Sequence, residues 1–157
     1  MKKAFLILLG LGCFTTASYA ETLDLYGQTS QGKLVYLGCL NCSRHSTNSI
    51  FNDLGAYGFR YANSTNNIWN KYGPYGSVGS TYSINNYSCG DKAPLVIGRY
   101  SKQTKGTFCI RGYPSGVSVY SYREIMNFLA KNIEQIRDKR FSELTSSQQE
   151  FINKLFY

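Results

Sequence analysis

The sequence predicts an α+β domain: a small antiparallel sheet, an irregular layer rich in Asn, Gly and Tyr, and two C-terminal helices. Three observations predict it. Short β-type runs bounded by Gly and polar residues lie near both ends of the first two-thirds of the chain. A motif recurs between them at an 18-residue offset, with Ile50 returning as Ile68. A helical apolar stripe with capping residues closes the chain.

The first segment is not expected to belong to the fold. Residues 1–20 carry Lys2 and Lys3, then an apolar stretch from Ala4 to Phe14, then Ala17-Ser18-Tyr19-Ala20, which reads as a cleaved secretory signal. The apolar run of about 11 residues is short for the roughly 20 that a spanning helix needs. Residues 21–157 are then one disulfide-stapled domain, periplasmic or extracellular. The full chain of 157 residues has 17 basic and 9 acidic side chains. Without Lys2 and Lys3 the balance is 15 to 9, a net charge of +6.

In the mature part, LDLYG at 23–27 and KLVYLG at 33–38 read as two strands joined by a polar connection ending in Gly32. The repeat tract spans 48–88. In it Ile50-Phe51-Asn52-Asp53-Leu54-Gly55 returns as Ile68-Trp69-Asn70-Lys71-Tyr72-Gly73, and a truncated copy starts at Ser83-Ile84-Asn85-Asn86-Tyr87. Each full copy sets an Ile-aromatic pair before Asn-x-x-Gly. The Asn can bond the backbone ahead of it and Gly can take positive φ, so each copy can close a turn. Large apolar residues held in register with turn residues predict an ordered layer packed on the sheet. Beyond Asp91, residues 95–100 and 107–111 read as strands, and 117–120 as a further one. The helical part, 121–156, opens on a Ser121–Glu124 capping box. Ile125, Leu129, Ile133 and Ile136 follow as one stripe, and a second box runs from Thr145 to Gln148. Phe151, Ile152, Leu155 and Phe156 give the last helix its apolar face.

The Tyr36-Leu37-Gly38 strand and the two repeats, through Pro74-Tyr75-Gly76-Ser77, resemble a family of short exported bacterial proteins. These carry tandem S-I-x-N-x-Y-G-x-Y-G-S units after a Y-L-G strand. The resemblance covers roughly residues 23–98 and departs at Leu54 and Phe59, where Tyr and Ser are usual. It implies a shared scaffold with no established catalytic role.

Four cysteines remain after the signal: Cys39, Cys42, Cys89 and Cys109. An even number in an exported chain predicts disulfides, and three pairings are open. A bridge from the first pair to the second would close a long loop and contribute about 4 kcal/mol. Cys39, Cys42, His45 and Cys89 also form a conceivable zinc set, but exported thiolates usually oxidise first, and no metal or cofactor is expected. A c-type haem would need His directly after the second Cys. A thioredoxin-like pair would open a helix, whereas Ser43 to Asn48 is a polar loop.

No G-x-S-x-G, H-E-x-x-H or P-loop is present. The function read from the sequence is a non-catalytic exported binding or interaction module. Its ligand is cell-wall or surface glycan, an anionic polymer of that kind, or another exported protein. The rival class is a small secreted hydrolase, a nuclease or cell-wall hydrolase, with His45 as base and Asp53 as the nearest acid. Candidate binding residues are Tyr57, Trp69, Asn70, Tyr72 and Tyr75, whose rings and amide suit sugar faces. The favoured reading of the same aromatics is that they are core and the Asn residues turn formers. Lys102 and Lys105 join the candidates because Lys92, Arg99, Lys102, Lys105 and Arg111 fall within 92–111 without an acid. Such a run attracts anions, and in an exported protein nucleic acid is the less favoured of them.

Overall fold

A computed structural model describes residues 21–60, 63–116 and 122–155. Four strands, β1 (Leu23–Gln28), β2 (Leu34–Cys39), β3 (Leu95–Gly98) and β4 (Thr104–Thr107), form one antiparallel sheet in the order β2-β1-β3-β4. The β1–β2 turn closes with the Gly32 N–H donating to the Thr29 carbonyl at 3.0 Å, and Gly32 sits at φ 74°. Leu25 pairs with Gly38 and Tyr26 with Tyr36, so Leu37 is the extra residue of a bulge. Gly38 takes φ 117°, and a Cβ there would lie 2.7 Å from Ile50 Cγ2. The bulge thereby swings the end of β2 inward, burying Leu37, Gly38 and Cys39 and handing the chain to the repeat layer.

That layer is a stack of turns. Cys39 pairs in parallel with Ser49, and the Ile50 N–H donates to the Cys39 carbonyl at 3.1 Å. Each copy repeats the same local bonds. Asn52, Asn70 and Asn86 accept at Oδ1 from the backbone two residues ahead, Leu54, Tyr72 and Ser88, at 2.9–3.0 Å. Their Nδ2 groups donate backward to the carbonyls of Ser46, Ser64 and Thr81. The third copy thus uses Asn86 in the turn, while Asn85 occupies the slot held by Phe51 and Trp69. Between turns, Asn67 donates to the Ala56 and Gly58 carbonyls, and Asn85 to that of Gly76. Side-chain amides here do the pairing that a regular sheet leaves to the main chain.

Ile50, Phe51, Ile68, Trp69 and Ile84 are fully buried in one core with Leu25, Leu37, Val96 and the helices. The repeat glycines do not serve through positive φ, contrary to the expectation. They are sites of close approach: a Cβ on Gly58 would fall 1.5 Å from the Asn52 carbonyl oxygen, and one on Gly76 2.4 Å from that of Asn70.

β4 ends at Thr107, where the sequence suggested that a strand begins. Phe108–Arg111 instead leaves the sheet and joins the stack, with the Ile110 N–H donating to the Ile84 carbonyl at 2.8 Å. The expected strand at 117–120, the signal segment 1–20 and Phe156 lie outside the described residues, as does Ser121. Helix α1 (Arg123–Ile136) begins after Tyr122, which provides no side-chain cap. Its predicted stripe is buried as read, together with Met126 and Phe128. A 3-10 turn (Phe141–Glu143) leads to α2 (Ser146–Lys154), where Thr145 and Gln148 form both arms of the predicted capping box. Phe128 and Phe151 stack at 4.0 Å between the helices.

Two disulfides join Cys39 to Cys42 and Cys89 to Cys109. Neither bridge links the first pair of cysteines to the second. On the loop-entropy relation they contribute about 2 and about 3 kcal/mol respectively, below the long-loop figure. The helical part is tied to the stack by hydrogen bonds instead. Arg137 Nε donates to the Trp69 carbonyl at 2.5 Å, the Phe141 N–H to Asp53 Oδ2 at 2.8 Å, and the Asp138 N–H to the Phe59 carbonyl at 2.8 Å.

Candidate functional site

The stack divides the predicted aromatic set. Trp69 is fully buried, edge-on to Phe51 and Phe59, with Nε1 donating to the Ile50 carbonyl at 2.9 Å. Tyr75 lies across β1 at Gly27, where any Cβ would enter its ring. Both are core and present no face to a ligand, so the binding assignment of Trp69 and Tyr75 is corrected. Tyr57 is half-buried against Tyr36, ring centroids 5.0 Å apart. Asn70 has both ends of its amide engaged in its own turn, in which it serves as turn former.

Tyr72 differs: 85% of it is exposed. The residue rides on a turn fixed twice, by its own N–H to Asn70 Oδ1 and by the Gly73 N–H to the Asn70 carbonyl, each at 3.0 Å. Lys71 Nζ stands 5.0 Å from the centre of the Tyr72 ring. Leu54 occupies the same place in the preceding turn and is 69% exposed. The first two turns therefore each hold one large apolar side chain outward on a hydrogen-bonded corner. Leu54 was missed by the sequence reading, although its alignment with Tyr72 was available to find it. Tyr87, Tyr100 and Tyr113 are also exposed, and no pattern in the sequence separates them from the buried tyrosines.

The basic run is broken up by acids brought in from β1 and the residue range just before it. Arg99 grips Asp24 through two bonds of 2.9 and 2.6 Å, with the Tyr36 hydroxyl donating to the same carboxylate at 3.0 Å. Burial and the Asp24 charge push the Tyr36 phenol up, and the Asp24 hydrogen bond holds Arg99 firmly protonated. Lys105 pairs with Glu21 at 2.8 Å. Its hydrogen bond, with those from Ser101, holds the Glu21 carboxyl down at about 2. Lys102 is exposed at the β3–β4 turn with φ 57°. Lys92 and Arg111 approach the Tyr82 and Tyr87 rings at 5.8 Å. The five cations do not form one uncompensated patch.

His45 is exposed on the loop after Cys42. Asp53, the acid nearest to it in sequence, is spent on the Phe141 N–H. The conceivable zinc set is dismantled by the two disulfides, and no group of three metal-binding side chains occurs among the described residues. Among the same residues no helix is long and apolar enough to cross a membrane. The two disulfides fit an oxidising, exported setting.

Fold and site together define an α+β domain whose disulfide-bearing repeat layer presents side chains on fixed corners. Comparison with protein families, curated proteins and solved structures finds no match.

Proposed function

We propose that this chain is a non-catalytic exported binding module, periplasmic or extracellular, released from its 1–20 signal. Its ligand is an anionic cell-wall or surface glycan, seated against Tyr72. The observation that carries this reading is the exposed Tyr72 ring on a twice-bonded turn with Lys71 beside it. A ring so held loses little freedom on binding, a sugar face can stack on it, and the ammonium group answers a nearby anionic substituent. The leader's charge and hydrophobic pattern, with two disulfides, supports export.

The test is a titration with purified anionic cell-wall glycan at two salt concentrations. Tyr72→Ala should weaken binding about tenfold without lowering the melting temperature, and Lys71→Ala should flatten the salt dependence. Unchanged affinity in Tyr72→Ala would remove the glycan reading and leave another exported protein as the partner to seek. A turnover activity lost in His45→Ala would overturn the non-catalytic assignment altogether.

A further inference from the structure

The two disulfides differ in ways that binding does not require. Cys89 and Cys109 are both buried and span 20 residues. Cys39 and Cys42 span only 3, so their bridge restrains less of the unfolded chain than the longer one does. Cys39 is fully buried, whereas Cys42 is partly exposed at the start of the loop that carries His45. Arg99 Nη2 lies 3.5 Å from Cys42 Sγ, held there by Asp24. The partly exposed member of a short-range bridge thus has its sulfur against a guanidinium group, an arrangement suited to exchange.

We propose that the Cys39–Cys42 bridge is a thiol-exchange site, at which an exported partner with a reactive cysteine is taken up as a mixed disulfide on Cys42. The partner thiolate attacks Cys42 Sγ, and the bond between Cys42 and Cys39 breaks. The electron pair leaves on Cys39, which takes up the proton that the partner's thiol gave up on forming the thiolate. The partner's sulfur is oxidised as Cys39 is reduced, so no further oxidant enters. If the partner carries a second thiol, that group attacks its own bridged sulfur and expels Cys42 as a thiolate beside Arg99. The partner then departs with a disulfide and Cys39 and Cys42 remain reduced. Arg99 is the titratable group against Cys42 Sγ; Asp24 and the Tyr36 hydroxyl bond that guanidinium, and His45 lies three residues on in sequence. Asp24 offsets part of the Arg99 charge, so the stabilisation of the thiolate is modest.

The experiment equilibrates the intact oxidised protein with glutathione buffers, traps thiols by alkylation and maps them by mass spectrometry. Half-opening of Cys39–Cys42 is expected at a ratio of reduced to oxidised glutathione about tenfold lower than Cys89–Cys109 requires, with the glutathione adduct on Cys42. Opening of both bridges together, later opening of Cys39–Cys42, or an adduct on Cys39 would overturn the proposal. A second measurement follows the alkylation rate of Cys42 against pH in Cys39→Ala. Its midpoint should lie below the ordinary thiol value of about 8.5 and rise when Arg99→Gln and Asp24→Asn are added together. Should that combined variant not fold, the Cys39→Ala profile decides alone, and a midpoint at or above 8.5 refutes the role of Arg99.

Discussion

Replacing Trp69 by alanine separates core from binding face most sharply. The side chain is fully buried, and its Nε1 is bonded to the Ile50 carbonyl at 2.9 Å. Truncating a buried Trp costs about 3–5 kcal/mol. Leaving the Ile50 carbonyl unpaired adds about 1 kcal/mol or more. The expected loss, about 5 kcal/mol, is comparable with the whole stability of a small domain, roughly 5–15 kcal/mol. With a urea slope of roughly 1.5–2 kcal/mol per molar, the midpoint falls by about 3 M. Trp69→Phe keeps most of the ring and loses the hydrogen bond, so its loss should be about 1–3 kcal/mol. Because Trp69 is the sole tryptophan, unfolding of the variants is followed by far-ultraviolet circular dichroism. A Trp69→Ala protein within about 1 kcal/mol of the parent, yet deficient in glycan binding, would refute the burial argument and restore Trp69 to the ligand face.

Two other perturbations test the packing. Gly58→Ala forces a Cβ to within 1.5 Å of the Asn52 carbonyl and should cost about 2–4 kcal/mol, while Gly90→Ala, with nothing within 4 Å, should stay within about 1 kcal/mol of the parent; urea midpoints compare the pair. The buried Tyr122 phenol, whose hydroxyl donates to the Thr107 carbonyl, is pushed from its ordinary 10.0 up to about 12 by burial. Its contribution is complete below pH 10 and is lost as pH rises through about 12, because the unfolded chain gives up this proton first. The stability advantage of the parent over Tyr122→Phe should therefore shrink across that window, and an advantage that stays constant from pH 9 to 12 would contradict it.

Much of the fold was legible where a period or a cap had enough residues to repeat. The α1 stripe from Ile125 to Ile136, the Thr145 box and the ordered Ile-aromatic tract all follow from local patterns that the structure keeps. The end of β4 did not, because Phe108 and Ile110 are as apolar as strand residues but are drawn into the stack, where Ile110 meets Ile84. Alternation alone cannot tell these destinations apart. Nor could the charge of the 92–111 run be judged from its own residues. Placing β1 between β2 and β3 sets Asp24 against Arg99, 75 residues away, and that is a property of topology. Disulfide pairing was equally out of reach, since four cysteines permit three solutions and spacing ranks none of them.

The candidate site follows the same division. A residue such as Asn70 looks like a ligand contact in sequence because its amide offers a donor and an acceptor. In a chain that coils without a regular ladder, those groups close the turn first, Oδ1 taking the N–H two residues ahead and Nδ2 a carbonyl behind. Asn52, Asn70 and Asn86 are all consumed in this way, and Ile50, Ile68 and Ile84 are consumed by the core. The corner position between the Asn and the following Gly is exempt from both demands. Its backbone is bonded and its side chain is not needed inside, so Leu54 and Tyr72 stand outward in consecutive turns. Variation at this corner leaves the folding pattern intact, and that makes it the place on the layer where a binding preference can be written without loss of the fold.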